Sequence, residues 1–190
     1  MIFGISGYMG SGKSSAAKYL CEKYRFTLID ADKTARKLML ENSDLINETG
    51  KTFGVVEDGK INFSQLGEIV FENVENLKKL NSITFPYIIE AINSERKNAV
   101  CSVLLDAALL PLISPKEICD FAVWIDSGVQ TRIKRLQKRT NLSIDVIKNR
   151  IEKQMQLMLK PQNDAFWNFV RNNSSIENLF AKTDEICGKF

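Results

Sequence analysis

Eight residues near the start of the chain, Gly7-Tyr8-Met9-Gly10-Ser11-Gly12-Lys13-Ser14, restrict its possible folds more than any other stretch. They match the pattern G-x-x-x-x-G-K-[ST] at every fixed position. The preceding Met1-Ile2-Phe3-Gly4-Ile5-Ser6 is short, apolar and uncharged, as a strand buried on both faces must be. In the residues that follow, Ala17, Leu20, Cys21 and Tyr24 recur at helical spacing. Strand, glycine loop and helix together form the context that turns the string into a phosphate cradle. Gly7, Gly10 and Gly12 can take backbone angles denied to other residues, so successive N–H groups turn inward on an anion. The helix start adds the positive end of its dipole. Lys13 can reach the β- and γ-phosphates of a nucleoside triphosphate, and the Ser14 hydroxyl can ligate Mg²⁺.

Composition narrows the chemistry around that cradle. The 190 residues suffice for one domain with insertions. No apolar run approaches a membrane span, and no secretion signal precedes the first strand, so the chain reads as cytoplasmic. Cys21, Cys101, Cys119 and Cys187 are scattered and read as reduced thiols. Histidine is absent, which excludes histidine triads and histidine metal sites and leaves carboxylates as proton acceptors. Charge is unevenly spread. Between Arg132 and Lys160 nine basic residues face two acidic ones, a balance of +7, so the rest of a chain with net charge +3 carries −4. One surface therefore faces anions, either a nucleic acid or the phosphates of a nucleotide.

Along the chain, Tyr24-Arg25-Phe26-Thr27-Leu28-Ile29 leads into a second short strand ending at Asp30-Ala31-Asp32, and a helix is predicted from Lys33 to Leu40 with Asp32 as a candidate N-cap. Carboxylates just past a strand end also lie where α/β sheets bind ligands, so Asp32 fits a cap or a site residue. Residues 42–98 read as a mainly helical insertion. It has a turn at Glu57-Asp58-Gly59-Lys60, a helix capped by Ser64, a second from Asn73 to Ile83, an interruption at Thr84-Phe85-Pro86 and a third from Tyr87 to Arg96. A central strand runs from Ala99 to Asp106. That last residue either closes a turn or assists Mg²⁺ beside the phosphate loop. Phe121–Asp126 is a fourth strand, and residues 165–170 are a fifth, followed by a terminal helix that Ser174-Ser175-Ile176-Glu177 starts as a capping box. Between strands four and five, Val129 to Arg139 and a helix capped by Ser143 form a basic pair. Arg132, Arg135 and Arg139 share one face at i, i+3 and i+7. That face suits either a lid over a triphosphate or a solvated hairpin.

Taken together, several stretches resemble the dephospho-CoA kinase family over nearly the whole chain. They are Gly10-Ser11-Gly12-Lys13-Ser14-Ser15, Leu28 to Arg36 with its Asp30-Ala31-Asp32, and Leu66-Gly67-Glu68-Ile69-Val70-Phe71. Val103-Leu104-Leu105-Asp106 with Leu109-Leu110, Gln130 to Leu136, and Ile147 to Met155 complete the set. Three stretches depart from the family pattern. Phe85-Pro86 replaces His-Pro, and Val170-Arg171-Asn172 replaces Ile-Asp-Asn. Asp106-Ala107-Ala108-Leu109-Leu110-Pro111-Leu112 replaces Asp-x-Pro-Leu-Leu-Phe-Glu and so loses a proline and, at Leu112, an acid. A phenyl ring at 85 can stack on a base but cannot make the hydrogen bonds of an imidazole.

The resemblance implies a P-loop NTPase-type three-layer α/β sandwich with a five-stranded parallel sheet. It also implies a helical substrate-binding insertion at about 42–98 and lid helices at about 129–160, all within a single domain. It implies transfer of the ATP γ-phosphoryl group to the 3′-hydroxyl of dephospho-CoA. Lys13, Asp32 and Arg139 would be catalytic, and Gly7, Tyr8, Met9, Gly10, Ser11, Gly12, Lys13, Ser14, Ser15 and Arg135 would bind ATP. Asp32, Arg36, Phe85 and Asp106 would meet the acceptor, with Mg²⁺ on Ser14 and on Asp106 through a water. The expected partner is a small molecule, without nucleic acid or membrane, for a monomer or weak homo-oligomer. Two alternatives stand beside this one. One is another small-molecule P-loop kinase acting on a nucleoside, nucleotide or shikimate-like alcohol; the other is a nucleotide-binding regulator without acceptor activity.

Overall fold

The computed structural model describes residues 1–162 and 164–189. Its chain divides into two compact units, Met1–Asp30 with Asn98–Phe190, and Ala31–Lys97.

The first unit is built on a five-stranded sheet. Its strands are β1 (Ile2–Ser6), β2 (Thr27–Asp30), β5 (Val103–Asp106), β6 (Phe121–Asp126) and β7 (Trp167–Arg171). They lie in the order β2-β5-β1-β6-β7, and every pairing is parallel. A parallel sheet is covered on both faces, which is why β1 and β5 carry no exposed residue. One face supports α1 (Lys13–Tyr24) and α9 (Ile176–Cys187), where Phe3, Ile5, Ala16, Ala17, Leu20, Leu104, Val123, Ile125 and Leu179 form the core. Strand alternation turns Gly4, Ala122 and Trp124 to the opposite face. There a Cβ on Gly4 would press on Leu110 and Cys119 from the connection carrying α6 (Pro115–Ile118). The ring of Trp124 meets Tyr8 and Trp167 edge-on, with centroids 4.9 and 6.4 Å away. The helices α7 (Val129–Arg139) and α8 (Ile144–Leu157) pack together through Ile133, Leu136, Ile147 and Ile151, with Met9 of the glycine loop against them.

Register places the chemistry. Ile5 pairs with Asp106 and Asp30 pairs with Asp106, so the carboxyl ends of β1, β5 and β2 finish at one edge of the sheet. In open α/β sheets that edge is where ligands bind.

The second unit contains α2 (Ala31–Glu41), α3 (Ser43–Phe53), the small antiparallel hairpin of β3 (Val56–Glu57) and β4 (Lys60–Ile61), α4 (Phe63–Glu72) and most of α5 (Val74–Asn98). Met39, Leu45, Ile46, Val55, Ile61, Leu66, Val70 and Ile83 fill its core.

Four local expectations change. Asp32 lies inside the first turn of α2 rather than capping it, because the helix starts directly from the strand end at Ala31. Asn62, not Ser64, caps α4, its side chain accepting from the Gln65 N–H. The two helices expected on either side of Pro86 are one, α5: Ile83, Thr84, Ile88 and Ile92 are buried along it, and that burial outweighs one missing hydrogen bond. The central strand begins at Val103, not Ala99, since Val100 is fully exposed and Cys101 donates to the Arg25 carbonyl instead. All four cysteines are free. Burial pushes the Cys21 and Cys187 thiols up to about 11, so neither is a thiolate at neutral pH. Among the described residues, no helix is long and apolar enough to cross a membrane.

Candidate active site

The turn from β1 into α1 is shaped by what presses on it from outside. A Cβ on Gly7 would overlap the Ile125 carbonyl oxygen, and Gly7 has a φ of +149°. At Gly12, with φ +104°, a Cβ would overlap the Asn172 amide. Only glycine allows the loop to run this close to β6 and to the end of β7. The Ser11 N–H closes a turn onto the Tyr8 carbonyl at 3.1 Å, and the Ala16 N–H reaches the Gly12 carbonyl at 3.1 Å to begin α1. No acidic side chain occupies the first turn of α1, which leaves its positive end open to an anion.

Lys13 and Asp106 face each other there. The Lys13 Nζ lies 3.2 Å from Asp106 Oδ1, with the two side chains 14% and 5% exposed. Asp106 is thus held beside the loop by its strand register, with the Lys13 cation against it. Ser14 and Ser15 are exposed in the first turn of α1.

The carbonyl side of the loop is held by residues from three other elements. Arg135 Nη1 donates to the Ser11 carbonyl at 3.2 Å, to the Gly10 carbonyl at 3.4 Å and to Ser127 Oγ at 3.0 Å. Its Nη2 donates to Asn172 Oδ1 at 3.3 Å, and Asn172 Nδ2 donates to the Ser11 carbonyl at 2.7 Å. Ser127 Oγ also donates to the Asn172 carbonyl. On the loop's other flank, the Met9 N–H donates to Gln154 Oε1 at 2.8 Å. Tyr8 donates its hydroxyl to the Met158 carbonyl at 3.1 Å. Burial raises the Tyr8 phenol above its ordinary value, with Arg132 opposing the shift.

The three arginines expected on one face of α7 have different surroundings. Arg132 is buried against Tyr8, Arg135 is half-buried on the loop carbonyls, and Arg139 is exposed at the last residue of the helix. In the second unit, Asp32 and Arg36 are exposed one helical turn apart on α2, and the Arg36 guanidinium lies 4.9 Å over the Phe63 ring. Phe85 is half-buried within α5, beside the exposed Pro86. Leu112 and Arg171 are exposed, the latter ending β7.

Ser127, Gln154 and Asn172 were not singled out as site residues from the sequence. Gln154 carried a signal, being a polar residue in line with Ile147 and Ile151 on the buried stripe of α8. Arg132 carried the same one, falling with Val129, Ile133 and Leu136 at i, i+3, i+4 and i+7. Asn172 follows directly on a strand's carboxyl end; Ser127 has nothing but its place after β6 to mark it.

A family model described as dephospho-CoA kinase matches residues 1–178. A dephospho-CoA kinase from Fusobacterium nucleatum is 32% identical over 193 residues, covering 98% of this chain and 97% of that protein. Among solved structures, the protein TT1252 from Thermus thermophilus aligns with a TM-score of 0.75 at 22% identity, over 100% of this chain and 97% of that one. A dephospho-CoA kinase from Campylobacter jejuni aligns at 0.61 and 23% identity, over 99% and 96%.

Proposed function

This chain belongs to the dephospho-CoA kinase family, and on that premise we propose that it moves the γ-phosphoryl group of ATP to the 3′-hydroxyl of dephospho-CoA, with residue roles as follows. Amides of the Gly7–Ser14 loop and the start of α1 hold the β- and γ-phosphates, and Lys13 places its charge on the group in transit. The acceptor oxygen attacks phosphorus, the bond to the β-phosphate oxygen breaks, and ADP departs with that electron pair. Asp32 takes the hydroxyl proton, a task that needs only a carboxylate within hydrogen-bond reach. Arg36 and Phe85 contact the acceptor, and Arg139 meets the charge that develops on the phosphoryl oxygens.

The Ser14 hydroxyl, with the buried Asp106 carboxylate acting through a water, would hold Mg²⁺, a hard cation that takes oxygen ligands and few protein side chains. When bound, the ion neutralises charge on the β- and γ-phosphates. Lys13, now on Asp106, would then turn to the phosphates.

The observation that carries this reading is the buried Lys13–Asp106 pair beside an α1 start with no acid in its first turn. The test is ADP release by purified protein with dephospho-CoA, adenosine, AMP and shikimate as acceptors, with products identified by mass. Dephospho-CoA alone should gain one phosphoryl group. ATP turnover that yields no coenzyme A, or faster turnover on another alcohol, would reject the assignment.

A further inference from the structure

Arg132 is among the largest fully buried side chains, at 1% exposure. Its Nε and Nη1 are buried with no hydrogen-bond partner, and its Nη2 donates to the Met155 sulfur at 3.3 Å, a weak acceptor. Among the described residues, no carboxylate forms an ion pair with it. The nearby Asp126 accepts from Lys160 at 3.0 Å. Burial accordingly pulls the guanidinium below its ordinary pKa, with Asp126 and Tyr8 only opposing that shift. A buried charge without a partner is among the most expensive features a fold can keep, and a shape-matched apolar side chain is often as stable or more so.

Its position accounts for its presence. The guanidinium carbon stands 4.9 Å from the centre of the Tyr8 ring, and Tyr8 is the second residue of the phosphate loop. The ring is fixed on its other sides, edge-on to Trp124 and through its hydroxyl to the Met158 carbonyl. A Cβ built on Gly10 would lie 3.0 to 3.2 Å from the Arg132 backbone, so the loop rests directly on this residue. The charge therefore stands directly behind a residue of the loop, with both side chains buried, where electrostatic screening is weak.

We propose that Arg132 is a positioning residue for nucleotide phosphates: a cation buried behind Tyr8 whose charge is balanced by the bound polyphosphate rather than by a protein carboxylate. It stabilises the loop's complex with an anion and destabilises the empty protein. The inference rests on the Gly7–Ser14 loop being the triphosphate site, but not on which alcohol receives the phosphoryl group.

The experiment compares wild type with Arg132→Met, Arg132→Gln and Arg132→Lys. Affinities for ADP and for inorganic tripolyphosphate are measured by calorimetry, the melting temperature without ligand is recorded, and KM is determined for both substrates. A unit charge one residue layer from an anion, through an effective dielectric near 20, is worth about tenfold in affinity. The Met and Gln variants should therefore bind tripolyphosphate and ADP about tenfold more weakly and raise KM for ATP. KM for the acceptor should stay within twofold. Their melting temperatures without ligand should equal or exceed that of wild type, a pairing of gains and losses that a merely structural arginine would not produce. Arg132→Lys, which keeps the charge and loses the plane, should recover most of the affinity. Tripolyphosphate affinity within twofold of wild type in either folded neutral variant overturns the proposal, as does a lysine variant no better than the neutral ones. Wild type that binds neither ADP nor tripolyphosphate would instead bring down the reading of the loop itself.

Discussion

Lys13 meets two demands with one charge. In this structure it compensates Asp106, a carboxylate only 4% exposed at the end of β5. In the proposed reaction it would serve the β- and γ-phosphates once ATP is bound. Truncating it removes both interactions, so Lys13→Ala should lower kcat by about 10²- to 10³-fold, the usual cost of losing one preorganised donor to developing charge. Asp32 differs in kind, being exposed in the first turn of α2 and outside the loop. Asp32→Asn keeps its shape and loses its basicity. Its kcat should fall by about 10²- to 10⁴-fold while ADP affinity stays at the wild-type value. Steady-state kinetics with parallel calorimetry separates the two residues, and an Asp32→Asn enzyme with wild-type kcat would remove that carboxylate from the reaction. The glycine turn between β1 and α1 was legible in the sequence because its backbone demands are local, set by Gly7, Gly10 and Gly12 at fixed spacing. What holds the loop was not, since Arg135, Ser127, Asn172 and Gln154 come from four separate places in the chain and meet only through the fold.

Strands and caps followed the sequence wherever one interaction dominated. Apolar runs gave β1 and β6, and Ser143 caps α8 as expected, while α9 is capped by Ser175, one residue after the Ser174 that the capping box pointed to. The expectation failed at Pro86, where a local rule opposed a tertiary gain. Pro86 is exposed, lacks an N–H and still sits inside a 25-residue helix, so its cost is borne by buried neighbours. Replacing it should recover part of the roughly 3 kcal/mol by which proline trails alanine in a helix interior. Pro86→Ala is therefore expected to melt higher. Its KM for ATP should be unchanged, since Pro86 lies in α5 and outside the phosphate loop. A second element-level tie joins α1 to α9, where Asp184 accepts from Lys23 at 2.6 Å and from the Tyr24 hydroxyl at 2.8 Å. The Lys23 hydrogen bond, then that of Tyr24, holds the Asp184 carboxyl below its ordinary value. A depressed folded pKa contributes stability above the unfolded value of about 3.9, and that contribution fades as pH falls through the folded value. Asp184→Asn should thus melt lower than wild type at pH 7, by no more than a few degrees because the pair is partly solvent-exposed, and the two curves should converge as the pH falls through the folded value.

At the scale of the molecule, the proposed donor and acceptor groups fall in different compact units. Gly7–Ser14, Asp106, Arg135 and Arg139 belong to the unit of Met1–Asp30 with Asn98–Phe190, while Asp32, Arg36 and Phe85 belong to Ala31–Lys97. The boundary runs between Asp30 and Ala31, within the Asp30-Ala31-Asp32 stretch that the resemblance singled out. Charge follows a related division: the +7 segment from Arg132 to Lys160 lies wholly in the first unit, beside the loop that would take the most highly charged part of ATP. A ligand stabilises the state that binds it by RT ln(1 + [L]/Kd), about 2.7 kcal/mol at a hundredfold excess over Kd, and amide exchange reports where that stabilisation is felt. ADP alone should slow exchange in the loop, the first turn of α1 and the segments around Ser127, Arg135 and Asn172. Dephospho-CoA alone should slow exchange within Ala31–Lys97, most of all in α2 and around Phe85. Exchange followed by peptide mass, with each ligand and with both, reads the two units separately. Dephospho-CoA protection confined to the phosphate loop, with Ala31–Lys97 unchanged, would show that the second unit is not where the acceptor binds.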